Sequence, residues 1–101
     1  MKVLIDTNVV LDILLHRQPA VAKEAIKRLL QVFYPATVTD KNIYQALELN
    51  WDDFEDSVQY IIGEGLAVDY IITRNLRDYA SSLIPAVTPD NFLEIVANIE
   101  Q

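Results

Sequence analysis

Short apolar runs alternate along the chain with longer stretches in which apolar residues return every three or four positions. Val3-Leu4-Ile5 is continuous and apolar, and Asp6-Thr7-Asn8 ends it. This reads as a buried strand with three polar side chains at its C-terminal tip. Tyr70-Ile71-Ile72, ended by Thr73-Arg74-Asn75, repeats the arrangement. Ala36-Thr37-Val38 is β-branched and predicts a very short strand, and Pro85-Ala86-Val87 an edge strand, where proline is tolerated.

Between the runs the period is helical. Val9, Val10, Ile13 and Leu14 make a stripe for a helix ending at His16, ahead of Pro19. From Pro19, Val21, Ala25, Leu29 and Val32 recur opposite Lys23, Glu24, Lys27, Arg28 and Gln31, and Pro35 closes this second helix. Thr39 and Asp40 can cap a third helix, carried by Ile43, Ala46, Leu47 and Leu49 to Asn50. Asp52-Asp53-Phe54-Glu55 has capping-box spacing, and Phe54, Val58, Ile61 and Ile62 line a helix closing near Gly63 or Gly65. Thr88 and Pro89 open a last helix with Phe92, Ile95, Val96 and Ile99 on its apolar face.

Strands separated by helices predict an α/β domain over residues 1–101, with a short, mainly parallel sheet between helical layers. In such sheets ligands gather at the carboxyl ends of the strands. Asp6-Thr7-Asn8 and Thr73-Arg74-Asn75 should therefore share one rim.

Composition narrows the chemistry. With 51% hydrophobic residues and two glycines among 101 positions, the chain is a folding sequence and not a disordered one. The absence of cysteine excludes disulfides, thiolate metal sites and a cysteine nucleophile, and permits a cytoplasmic setting. No signal peptide and no membrane span are expected. The formal charge of −7 repels nucleic acid, so an RNA partner needs a local exception.

A cation would supply one. If Asp6, Asp56 and Asp78 converge, their repulsion calls for a counter-ion, and an all-oxygen set favours Mg²⁺ or Mn²⁺ over zinc. Such an ion activates water and neutralises charge on a phosphoryl oxygen. Simpler readings stand beside this one. Acids at helix N-termini are favoured by capping and the helix dipole, which accounts for Asp52 and Glu55 but less easily for Asp56. Asp6 can equally cap the first helix. Thr73 and Asn75 alone are ordinary turn residues, and Asp12 is a solvated helix position or a support for the rim. His16 reads as a polar residue at a helix end, and Arg17, Lys23, Lys27, Arg28, Arg74 and Arg77 are either solvated or available to phosphates.

Taken together, Val3-Leu4-Ile5-Asp6-Thr7-Asn8-Val9-Val10-Leu11-Asp12, Asp53-Phe54-Glu55-Asp56-Ser57 and Asp69-Tyr70-Ile71-Ile72-Thr73-Arg74-Asn75-Leu76-Arg77-Asp78-Tyr79 resemble a PIN domain of the VapC toxin type. The closing segment Ile84 to Leu93 is similar to that family's last strand and helix. The resemblance implies a Mg²⁺- or Mn²⁺-dependent ribonuclease, often a toxin held by an antitoxin protein. It assigns catalytic and metal-binding roles to Asp6, Asp56 and Asp78, with Thr7, Asn8, Thr73 and Asn75 in support. Many members have an acid where Asn75 stands. The chain is also shorter than the family by a few dozen residues between the first motif and Asp56, a stretch that commonly supplies a further catalytic acid. It therefore looks like a PIN fold lacking one central strand and its adjacent helices.

Losing an internal strand leaves two outcomes. Either the Val3–Ile5 strand pairs with 36–38, or it leaves an edge and an apolar face exposed. A homodimer covering that face is expected. The alternative to a nuclease is an interaction or dimerisation module that keeps the core without turnover. A receiver-like phosphoacceptor domain fits less well, because no lysine follows the late strand in the required place.

Overall fold

The computed structural model describes residues 1–16 and 18–99, leaving Arg17 of the candidate basic residues outside the description. Its elements run β1 (Val3–Ile5), α1 (Thr7–Leu15), α2 (Pro19–Val32), α3 (Asp40–Leu47), α4 (Phe54–Gly65), β2 (Tyr70–Ile72), a 3₁₀ turn (Leu76–Tyr79), β3 (Ala86–Val87) and α5 (Pro89–Ile99). The fold is α/β, as the alternation predicts. Every strand pairing is parallel and the order is β1-β2-β3.

β2 is central, which explains its uninterrupted apolar sequence. Ile71 and Ile72 are buried, and the register sets Leu4 beside Ile71 and Ile71 beside Ala86. One face of the sheet meets α3 and α4. There Ile71 joins Ala46, Tyr60, Ile61, Val68 and Tyr79 in the core. Trp51 bridges this cluster, 4.7 Å from the Tyr60 ring and edge-on to Tyr79 at 5.8 Å. Side chains alternate along a strand, so Tyr70 points to the other face, where it meets Phe92 of α5 at 6.4 Å. Gly63 lets α4 approach the sheet closely, since a Cβ there would lie 3.2 Å from Val68 Cγ2 and 3.3 Å from Ile84 Cδ1.

Several boundaries differ from the sequence reading. The segment 36–38 is not a strand. Residues 33–39 run between α2 and α3 without helix or strand pairing, because Pro35 removes a donor and so short a run gains little from a ladder. β1 is therefore an edge strand. The third helix stops at Leu47 and not at Asn50. α4 is capped by Asp53 and not by Asp52, while its last residue is Gly65, as expected. Ala67, at φ 54°, takes the left-handed position that ends it. The Ala67 N–H donates to the Glu64 carbonyl and the Val68 N–H to that of Gly63, each over 3.1 Å, forming a Schellman motif on alanine instead of glycine. Thr88 opens α5 as expected, its Oγ1 accepting from the Asn91 N–H.

Candidate functional site

β1 and β2 leave the sheet side by side, so their C-terminal residues meet. Asp6 is fully buried (0% exposed), and its backbone N–H donates to the Ile72 carbonyl over 2.8 Å. Its carboxylate is engaged on both oxygens. Oδ1 accepts from the Asn8 N–H at 3.0 Å, which caps α1, and from Gln59 Nε2 at 3.1 Å. Oδ2 accepts from Thr73 Oγ1 at 2.8 Å. Thr73 Oγ1 in turn accepts from the Asn75 N–H at 3.0 Å, so the two polar tips form one network across the sheet.

α4 contributes from the side. Asp53 caps it, its first turn carries Asp56, and the next turn carries Gln59. Asp53 Oδ1 accepts from the Asp56 N–H at 3.0 Å, and Ser57 Oγ donates to the Asp53 carbonyl at the same distance. Gln59 is buried and joins both halves of the site. Besides Asp6, its Nε2 reaches Asp56 Oδ1 at 3.5 Å, and its Oε1 accepts from the Thr7 N–H at 2.9 Å. The third contribution is the 3₁₀ turn, from which Tyr79 donates its hydroxyl to Asp56 Oδ1 over 3.2 Å.

Asp56 is thus only 2% exposed, yet its Oδ2 has no hydrogen-bond partner among the described residues. A buried, unpartnered carboxylate oxygen is costly unless a cation or proton meets it. Asp53, Asp56 and Asp78 each offer one carboxylate oxygen, and these lie within 4.8 Å of one another. The donor set is all oxygen, which fits a hard divalent cation. Burial pushes the Asp56 pKa up to about 6, with the charges of Asp53 and Asp6 adding to the rise and the Tyr79 hydrogen bond opposing it. Burial likewise holds the Tyr79 phenol well above its ordinary range, so it acts as a donor and not as a phenolate.

The gathered carboxylates differ from the expected set in one member. Asp56 and Asp78 come together, whereas Asp6 is not in the gathered group and is joined to Asp56 through the Gln59 amide. Asp53 takes the remaining place. Its signal in the sequence was the three-residue spacing from Asp56, which also suits a cap and an acidic first turn. Gln59 carries no sequence signal, because an amide within apolar helical periodicity reads as filler, and Tyr79 closes the third segment of the resemblance without a role assigned to it. Thr7 and Asn8, both exposed residues, support the network through their backbone N–H groups, and the Thr7 hydroxyl also donates to Gln59 Oε1 at 3.5 Å. The Asn75 side chain is exposed as well.

No family model, curated protein or solved structure matches the chain.

The rim also holds a cation. Arg74 Nη1 lies 2.7 Å from Asp12 Oδ2, and His16 Nδ1 lies 2.9 Å from Asp12 Oδ1. Asp12 is accordingly a partner that positions Arg74 beside Thr73, and not merely a solvated residue. Among the described residues, no helix is long and apolar enough to cross a membrane.

Proposed function

We propose that the chain is a shortened PIN-type ribonuclease of the VapC toxin kind, hydrolysing RNA phosphodiesters with Mg²⁺ or Mn²⁺ held by Asp53, Asp56 and Asp78. The observation that carries this reading is the buried, unpartnered Oδ2 of Asp56 within a group of three carboxylates. When bound, a divalent ion would lower the pKa of a water and neutralise charge on the phosphate. The protein's own part is orientation. Tyr79 and Gln59 occupy Oδ1 of Asp56, which leaves Oδ2 free to serve as a ligand. Thr73 and Gln59 fix Asp6, whose negative charge strengthens the demand for a cation beside Asp56. Arg74, on the same rim, supplies a positive side chain for a phosphate on an otherwise acidic surface. As a toxin of this kind it would work in the cytoplasm, restrained by an antitoxin protein.

Calorimetric titration with Mn²⁺ tests the centre. One site is expected in the wild type and none in Asp56→Asn, and cleavage of single-stranded RNA should require Mg²⁺ or Mn²⁺ and stop with EDTA. No binding by the wild type would overturn the reading.

One observation favours a second reading. Both oxygens of Asp6 are already engaged, and Asn75 offers an amide where the resemblance calls for an acid. This supports an interaction module that has kept the rim as a structural knot without turnover. Metal binding without RNA cleavage would select it.

A further inference from the structure

Val3 and Ile5 form the outer edge of the sheet. The backbone groups of Lys2 and Asp6 bond towards β2, so by strand alternation those of Val3 and Ile5 face outward, where no hydrogen bond meets them among the described residues. Beside this edge lies a groove of about 670 Å³ between α2, the 33–38 segment and α4. Ile5, Val10, Leu29, Phe33, Val38 and Val58 line it, and among the described residues Glu55 is its one charged lining residue. Across the groove, Tyr34 to Val38 also have no backbone hydrogen bonds among the described residues. Tyr34 is 80% exposed and Val38 51%.

One surface therefore carries both a vacant strand position and an unpaired β-branched segment of matching length. A patch that holds a gap and its own filler is what a two-fold interface between identical chains requires, because each copy then supplies what the other lacks. The area agrees. The chain exposes 7269 Å², against about 5,800 Å² for a compact monomer of 11.5 kDa. The excess exceeds the roughly 800 Å² that each partner buries in a stable complex. The radius of gyration, 14.3 Å, is likewise above the roughly 12.7 Å expected for this length.

We propose that the β1 edge and its groove form a homodimer interface in which Ala36–Val38 of each copy pairs with Val3–Ile5 of the other. This assignment does not depend on metal binding or on nuclease activity. Thr7 and Gln59 line the groove as well as the carboxylate network, so dimerisation would order the side of the site that faces it.

Sedimentation equilibrium on the full chain at micromolar concentration tests the interface. The wild type should have twice the 11.5 kDa protomer mass. Val38→Asp, which places a charge on an exposed position, and Thr37→Pro, which removes a backbone donor, should each weaken association at least tenfold. Far-UV circular dichroism should remain unchanged in both. Leu83→Asp, 86% exposed and outside the groove, should leave the dimer intact. A monomeric wild type would overturn the proposal and leave the groove to a different chain. So would a dimer that survives both groove variants, or one lost only in Leu83→Asp.

Discussion

The Tyr79 hydroxyl donates to Oδ1 of Asp56 over 3.2 Å, binding the 3₁₀ turn after β2 to the first turns of α4. The bond lowers the Asp56 pKa, whereas its other main influences raise it. Tyr79→Phe should therefore move the Asp56 pKa further above about 6 and cost about 1 kcal/mol of stability. Urea unfolding and NMR titration of the Asp56 carboxyl would measure both effects. A stability loss without a pKa change would mean that Tyr79 only fills space.

Asp56 also gives the protein a pH-dependent stability. Its native pKa of about 6 lies above the ordinary 3.8, so between these values the folded chain binds more protons than the unfolded one. Stability from this group is complete below about pH 4 and falls as the pH rises to about 6, then levels off. In EDTA, the wild-type melting temperature minus that of Asp56→Asn should decline across this window. A flat difference would show that Asp56 is better solvated than its burial indicates.

Metal binding should show the opposite slope. A cation binds the ionised carboxylate, so Mn²⁺ affinity should rise about tenfold per pH unit up to about pH 6 and then plateau. Proton release measured by calorimetry in buffers of different ionisation enthalpy would confirm the exchange. Binding independent of pH would remove Asp56 from the ligand set.

Asp6→Asn should damage the fold itself. Asp6 is fully buried and accepts from the Asn8 N–H, Gln59 Nε2 and Thr73 Oγ1, so an amide would bring its own donors against at least one of theirs. The expected loss is about 2–3 kcal/mol, read from urea unfolding. Asp78→Asn, on an exposed position, should be nearly neutral for stability while weakening Mn²⁺ binding. The two variants thus separate the structural acid from a ligand acid.

Ala67 is held at φ 54°, where an L-residue is strained and glycine is not. Ala67→Gly should stabilise the chain by about 1 kcal/mol, raising the melting temperature. An unchanged or lower melting temperature would show that the Schellman turn is not strained by the alanine.

What the sequence determined by itself is local and periodic. Val3-Leu4-Ile5 and Tyr70-Ile71-Ile72 read as strands, Pro19 and Thr88 mark helix starts, and two polar tips on parallel strands share a rim. The full burial expected of both strands holds for Ile71 and Ile72, whereas Val3–Ile5 is half-buried because it is an edge. Helical period and strand alternation act over a few residues and need no partner to be legible. The tertiary structure decided what depends on approach between distant segments. It denied 36–38 a strand partner and left β1 as an edge, because pairing needs a neighbour held at ladder distance. It moved the cap of α4 from Asp52 to Asp53, and beyond Gly65 it put Ala67 in the left-handed position that turns the chain towards β2, where Gly63 passes close to Val68 and Ile84. It also set Asp53 beside Asp56 and Asp78 and joined Asp6 to Asp56 through Gln59. Which carboxylates face one another depends on how α4 packs across the sheet, and that packing is carried by Ile61, Tyr60 and Trp51, far in sequence from the acids of β1 and the 3₁₀ turn.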